Sequence, residues 1–396
     1  MENLIKHMNI LFVMEYFYPR LAGGEVVSWK LANALSRRGH KIYVVTTRIK
    51  DSMAHESING IEIFRPFHGG AASKITELPE RVLFSPRLYF FLKQFLKRHK
   101  IDIIYNYAYS PTIVTTWLGA EKHIPVITAV HSINGTIWFE LSNPIIATFN
   151  YLNEVLTLRF GKHNAIICPS NEVARMVQHH TKANIFTIHN PLDSDEIKHV
   201  KETSDTESVR RSLAIEKGEQ LLLFVGSLIR VKNVYALITV LTKSDAKFKL
   251  VLVGDGPERS RIEKLVREAG LRDRVKLLGQ KPYRETLGIM KSCDILILPS
   301  KVETFSGVVI EALALGRPVI ATAVGVIPEI ESPNLYVISS LEEINPLLQK
   351  GIQPKEDDRV TAEYEMGKIA EEFEKLLHSQ LGGKRCHIVN RLRRGT

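Results

Sequence analysis

Residues 295–329, ILILPSKVETFSGVVIEALALGRPVIATAVGVIPE, decide how the rest of the chain is read. The run Ile295–Leu298 is short, branched and apolar, as a buried strand is, and Pro299 stops it. A polar loop with Glu303 follows. Ser306 and Gly307 open a predicted helix over 308–315, closed by Gly316, and 319–321 is the next strand. Two carboxylates, Glu303 and Glu311, thus stand eight positions apart across a helix start. Helical side chains lean toward the helix N-terminus, so Glu311 reaches back toward the mouth that carries Glu303. The N–H groups of Gly307 and Val308 lack intrahelical partners there, which makes an anion site. Phosphate-binding amides beside two hydroxyl acceptors suit a sugar nucleotide, in which a diphosphate lies between a ribose and a hexose. Two merely solvated glutamates would leave the agreement of strand, loop, helix and flanks unexplained.

Around this stretch the chain alternates strand and helix twice over, which argues an α/β fold of two domains with mostly parallel sheets. In the first half, strands are predicted at 9–14, 41–47, 61–64, 101–107, 125–130, 165–168 and 185–188. Helices are predicted at about 26–38, 86–99 and 145–160, with another capped by Ser170. Gly23 and Gly24 stand between the first strand and the first helix, where paired glycines let backbone approach a ligand and offer free N–H groups. The stretch 48–80 reads as an insertion, and the polar run 194–208 as a solvated connector past a boundary near 190. In the second half, strands are predicted at 220–226, 249–253, 275–278, 295–298, 319–321 and 336–338, followed by a long helix over 361–377. Gly254 and Gly256 begin a glycine fingerprint, but position 259 is Arg, so this is no dinucleotide motif.

At 396 residues the chain is long enough for two ordinary domains. Its 44% hydrophobic and 24% charged residues describe a soluble globular protein. A formal net charge of +10 and a pI near 9.3 favour anionic partners. Nucleotide diphosphates and an anionic membrane surface fit; no nucleic-acid module is found. The helix at 86–99 puts Leu88, Phe91, Leu92 and Phe95 on one face and lysines on the other; packing on its own sheet is the favoured reading. Cys168, Cys293 and Cys386 are odd in number and unclustered, so neither a disulfide framework nor a metal site is expected. The early apolar run 10–14 is too short for a signal peptide or a span, which predicts a cytoplasmic protein, peripheral on the membrane face at most.

The E-x7-E segment, the preceding Leu298-Pro299-Ser300 and the following EALALGRPVIATAVGVIPEI resemble the retaining glycosyltransferases of family 4, of GT-B fold. The resemblance extends to the Gly-Gly-Glu loop at 23–25 and to the glycine and lysine of QLLLFVGSLIRVKN, 220–233. It implies two Rossmann-like domains facing across a cleft: residues 1–190 on the acceptor side and 191–360 on the donor side. A C-terminal helix at about 361–380 would cross back to the first domain, and a basic tail, 382–396, would be disordered. It implies donor contacts by Gly23, Gly24, Gly226, Ser227, Arg230, Lys232, Ser306, Gly307, Val308 and Glu311. His131 matches a strand-end histidine that contacts the donor sugar, Glu303 a carboxylate on the sugar hydroxyls, and Lys232 a cation on the diphosphate. These three, His131, Lys232 and Glu303, are the expected catalytic residues, with no metal and no cofactor.

Two departures stand out. Ser227 occupies the position of a second diphosphate-binding arginine, for which Arg230 is the nearest substitute, and Asn190-Pro191-Leu192-Asp193 replaces the common Asn-Gly-x-Asp. The implied activity moves a sugar from a UDP- or GDP-sugar, UDP favoured, to a hydroxyl acceptor on a sugar or lipid-linked precursor. The rivals are a sugar-nucleotide 2-epimerase of the same fold, a non-catalytic sugar-nucleotide-binding subunit, and a nicotinamide oxidoreductase. The last needs the glycine fingerprint this chain lacks.

Overall fold

Each of two sheets anchors one unit of the computed structural model, in which the described residues are 7–382 apart from 21–22, 50–51, 69–77, 134, 136–137 and 142. One unit runs to Pro191 and resumes at Met366; the other is Leu192–Glu365. Residues 69–77 of the expected 48–80 insertion and the basic tail beyond Gly382 lie outside the described residues.

The first unit holds β1 (Asn9–Val13), β2 (Lys41–Val45), β3 (His55–Ile58), β4 (Ile61–Phe64), β5 (Ile103–Tyr107), β6 (Val126–Ala129), β7 (Ala165–Cys168) and β8 (Asn184–Thr187). Their order is β3-β4-β2-β1-β5-β6-β7-β8, parallel except for the β3–β4 pair. The central strands are buried on both faces, which is why they read as unbroken apolar runs. The 48–80 stretch was expected to carry one strand and carries two. Asn59 and Gly60, at φ 53° and 77°, form the two-residue turn of a hairpin, and Asn-Gly is the sequence signal for it. The helix expected at 86–99 starts earlier, at Leu78, and buries Leu88, Leu92 and Phe95.

The second unit holds β9 (Gln220–Val225), β10 (Phe248–Val253), β11 (Val275–Gly279), β12 (Ile295–Leu298), β13 (Val319–Thr322) and β14 (Leu335–Ile338). All are parallel, in the order β11-β10-β9-β12-β13-β14. Strand order reverses between β9 and β12, and in the first unit between β1 and β5. Such switch points are where doubly wound sheets bind ligands, past the carboxyl ends of the strands.

Two expectations are corrected. The run 194–208 is not a bare connector: helices Ser194–Thr203 and Thr206–Ser212 occupy it, capped by the Asp193 and Asp205 side chains. Ile197 and Val200, three apart, supply the buried face that the surrounding polar residues conceal. The long helix at 361–377 is two helices, Arg359–Glu363 and Met366–Gly382. The chain breaks at Tyr364, whose side chain is buried against Phe305, while its carbonyl accepts from Leu192 N at 2.7 Å. Met366–Gly382 buries Ile369, Phe373, Leu376 and Leu377 in the first unit's core. Its Glu374 accepts from Arg38 Nε at 2.8 Å and lies 2.9 Å from His40 Nε2. No helix among the described residues is long and apolar enough to cross a membrane.

Candidate active site

In the second unit, β9 and β12 deliver their loops side by side at the switch point. The loop after β9 passes Gly226 and ends in the tight turn Arg230–Lys232. Lys301 N donates to Val231 O at 2.8 Å, which ties that turn to the loop after β12. Lys232 Nζ consequently meets Glu303 Oε1 at 2.5 Å, and Ser300 Oγ donates to the same oxygen at 2.7 Å. Thr322, at the end of β13, fixes the base of the loop by donating to the Ser300 carbonyl at 2.5 Å. Gly325 backs Glu303 at φ 61°; a Cβ there would lie 3.0 Å from the Glu303 Cβ. The Glu303 side chain is 7% exposed. With both donors on Oε1, its Oε2 has no partner among the described residues and remains an acceptor.

Helix Gly307–Ala314 starts beside this loop. Ser306 precedes it in the left-handed region, φ 67°, and does not cap it through its side chain. The Ser306 hydroxyl is buried without a hydrogen-bond partner among the described residues. An open helix start with an uncommitted hydroxyl is built to receive an anion. One turn on, Glu311 Oε1 accepts from the Tyr283 hydroxyl at 2.9 Å. Burial first, and then the Glu311 charge, push the Tyr283 phenol well up, so it stays a donor. Ser227 and Arg230 are exposed, and neither side chain has a hydrogen bond or ion pair among the described residues.

The remaining expected residues belong to the first unit. Gly23, at φ 53°, precedes helix Gly24–Arg37. Gly24 lies so close to Tyr107 that a Cβ would sit 1.9 Å from the phenol oxygen. The Tyr107 ring lies 5.1 Å from that of His131, just past the end of β6. Burial pushes the His131 imidazole down to about 4, so it is neutral near pH 7. Tyr107 and His131 line a cavity of about 220 Å³ beyond the ends of β1, β5 and β6, with Glu15, Glu25, Ser110 and Asn150. Ser110 Oγ donates to Glu15 Oε2 at 2.6 Å.

The structure thus gathers Lys232 with Glu303 and, separately, Gly24 with Tyr107 and His131. Sequence reasoning missed Ser300, Thr322, Glu15, Ser110 and Asn150. Glu15 and Ser300 each stand within two residues of a strand's carboxyl end, which is the signal that could have found them.

Comparison with known proteins accounts for both units. Residues 205–391 match the family model for glycosyl transferases group 1, and residues 21–196 that for glycosyltransferase family 4. The chain belongs to this glycosyltransferase family. The glycosyltransferase is 26% identical to the N-acetyl-alpha-D-glucosaminyl L-malate synthase of Bacillus anthracis over 331 residues, 79% of each chain. It is 24% identical over 351 residues to the phosphatidylinositol N-acetylglucosaminyltransferase GPI3 subunit of Saccharomyces cerevisiae, covering 86% of this chain and 74% of that one. Anabaena HepE in complex with UDP shares its fold, with a TM-score of 0.70 at 19% identity over 94% of this chain and all of that one. The two doubly wound sheets are those of the GT-B fold. As a group 1 glycosyltransferase, the protein uses a sugar-nucleotide donor.

Proposed function

We propose that this glycosyltransferase transfers a hexosyl group, with retention of anomeric configuration and without a metal, from a UDP-sugar to a hydroxyl acceptor. The observation that carries the reading is the Lys232–Glu303 pair at the second switch point, next to the open helix start at Ser306–Val308. The diphosphate lies on the helix N–H groups, the Ser306 hydroxyl and the Lys232 ammonium, which meet negative charge as it develops on the leaving group. Lys232 and the helix dipole supply the charge that a metal would otherwise provide. Glu303 Oε2 accepts from hydroxyls of the donor sugar, and Glu311, held by Tyr283, accepts from the ribose.

In the front-face course, the bond from C1 to the phosphate oxygen breaks while C1 bonds to the acceptor oxygen on the same face. The acceptor proton passes to the departing phosphate oxygen, so no protein base is required. His131, in the first unit, is held neutral by burial and does not carry charge. UDP is favoured as carrier because HepE, of like fold, binds it. N-acetylglucosamine is the first sugar to test because both relatives transfer it by name.

The protein works at a cytoplasmic membrane face. Helix Pro144–Phe160 turns Asn150, Glu154 and Thr157 inward and leaves Ile145, Leu152, Leu156 and Phe160 exposed. Its buried face also holds Ile146, Ala147 and Leu158, so the helix carries apolar residues on both faces, more than packing alone requires. Exposed Trp117 lies beside the end of the stripe, its Nε1 donating to Phe160 O, with the Lys162 ammonium 3.8 Å from its ring centre. Apolar side chains bordered by Lys162 and Arg159 suit an anionic bilayer. Sedimentation with anionic but not neutral vesicles is expected, and is lost on Leu152→Ser with Phe160→Ser.

The main test incubates the purified chain with UDP-N-acetylglucosamine and UDP-glucose, with EDTA present, and follows product by NMR. An α-linked product from an α-linked donor is expected. An inverted product, or epimerisation of donor without acceptor, defeats the reading.

A further inference from the structure

Two donors hold the Glu303 carboxylate, and the transfer reading gives a further task to only one of them. The stem of the side chain is walled by Gly325, where a Cβ would stand 3.0 Å from the Glu303 Cβ. A packed stem does not fix the carboxylate plane, because the last torsion of a glutamate is broad and two-fold. The plane is set by what the oxygens meet. Lys232 Nζ lies 2.5 Å from Oε1, and Ser300 Oγ donates to the same atom at 2.7 Å.

The two donors differ in kind. An ammonium is a compact charge on a flexible stem, with three donors to share, and the Lys232 side chain is partly exposed. Ser300 is buried and has a single O–H to give. Its backbone is fastened from both sides. Thr322 Oγ1 donates to the Ser300 carbonyl at 2.5 Å, which ties it to the end of β13. The next residue, Lys301, donates its N–H to Val231 O at 2.8 Å, which ties it to the turn after β9. Ser300 is therefore the rigid donor and Lys232 the adaptable one.

Donor binding separates their roles. In the transfer reading the Lys232 ammonium gives part of its hydrogen bonding to the diphosphate. Its hold on Oε1 weakens just when Oε2 has to meet a hydroxyl of the sugar. The Ser300 hydroxyl has no such second call on it.

We propose that Ser300 is a positioning residue for the donor sugar. Its hydroxyl, on a backbone pinned by Thr322, holds Glu303 Oε1 so that Oε2 stays available to a sugar hydroxyl once Lys232 is drawn to the diphosphate. The inference rests on the transfer reading and adds a residue that acts through Glu303. A rival account makes the Ser300–Glu303 contact a staple of the loop, since the two residues stand three apart in it. A staple alone would alter the binding of every nucleotide together, along with stability. Positioning alters only the binding of nucleotides that carry a sugar.

The test compares the full chain with Ser300→Ala and Thr322→Val, using UDP, UDP-N-acetylglucosamine and UDP-glucose as ligands. Calorimetry gives the dissociation constants, and melting temperature reports folding. From the size of a hydrogen bond to a charged group, Ser300→Ala should weaken the better-bound sugar nucleotide about tenfold and change UDP by less than about twofold. Thr322→Val should show the same selective loss at smaller size. Where Ser300→Ala melts far below the wild type, Thr322→Val carries the comparison. Equal weakening of UDP and of the sugar nucleotide, or no weakening of the sugar nucleotide in either variant, overturns this inference and leaves the transfer reading standing. A wild-type chain that binds none of the three ligands refutes the transfer reading, and this inference falls with it.

Discussion

Removing the Lys232 ammonium should destabilise the second unit unless the Glu303 charge is removed as well. Glu303 is 7% exposed and Lys232 22%, with Nζ to Oε1 at 2.5 Å. Breaking a buried pair by deleting one partner costs about 3–5 kcal/mol, whereas an exposed pair is worth about 0.2–1. With the lysine partly wet and Ser300 Oγ still donating, Lys232→Met should cost about 2–3 kcal/mol. Glu303→Gln keeps the Ser300 bond and should cost a similar amount through the stranded ammonium. The double variant holds no unpaired charge, so it should lose only about 1 kcal/mol in total. The coupling energy is then on the order of 3–5 kcal/mol. Urea unfolding at pH 7, following the transition of the second unit, measures the cycle. Because the pair is largely buried, the coupling should survive about 0.5 M NaCl. A coupling below about 0.5 kcal/mol, or one abolished by salt, refutes the claim that the pair is a preorganised part of the site. In assays of transfer, the lysine variant should lose about 10²–10³-fold in kcat, as deletion of an electrostatic stabiliser does.

Tyr283→Phe removes the donor to Glu311; at a half-exposed site this should weaken UDP binding about tenfold, from the lower end of roughly 1.5–3 kcal/mol for a charged hydrogen bond, read by calorimetry. Gly24→Ala drives a methyl to 1.9 Å from the Tyr107 oxygen, so the chain should lose about 1–3 kcal/mol, seen as a lower melting temperature of the first unit. His131 binds its proton near pH 4 when folded against an ordinary 6.5, so the unfolded chain holds more protons between those values. Its contribution to stability is therefore present above about pH 6.5 and is lost as pH falls toward 4, at about 1.4 kcal/mol per pH unit. His131→Asn should flatten the pH dependence of stability in that window by this slope, with His40, His99 and His163, shifted the same way by burial, left to contribute the remainder.

The fold was legible because parallel strands buried on both faces are continuous apolar runs. Ile295–Leu298 and Ala165–Cys168 are found where the pattern puts them. Elements without that contrast were not legible. Helix Thr112–Lys122 begins TIVTT, a β-branched run that argues strand; its threonine hydroxyls at 115 and 116 bond back to carbonyls of the preceding turn, including Thr112 O. Helix Ser194–Thr203 buries only Ile197 and Val200. In the site, local spacing exposed Glu303, the helix start and Glu311, because these lie within one loop and helix. The pairing of Lys232 with Glu303 spans 71 residues, that of Tyr283 with Glu311 28, and that of Glu15 with Ser110 95. Such contacts are set by sheet order, which places β9 beside β12 and β1 beside β5. Spacing along the chain does not encode that order.

The measurement that bears most directly on the account is the thermal shift of the purified chain with UDP, GDP, ADP and NAD, repeated on Glu311→Ala. Ligand at about 100 times its dissociation constant adds roughly 2.7 kcal/mol to stability, enough to raise the melting temperature by several degrees. The account predicts a shift with UDP that is lost in the variant. A shift with NAD alone, or a UDP shift unchanged in Glu311→Ala, would contradict it.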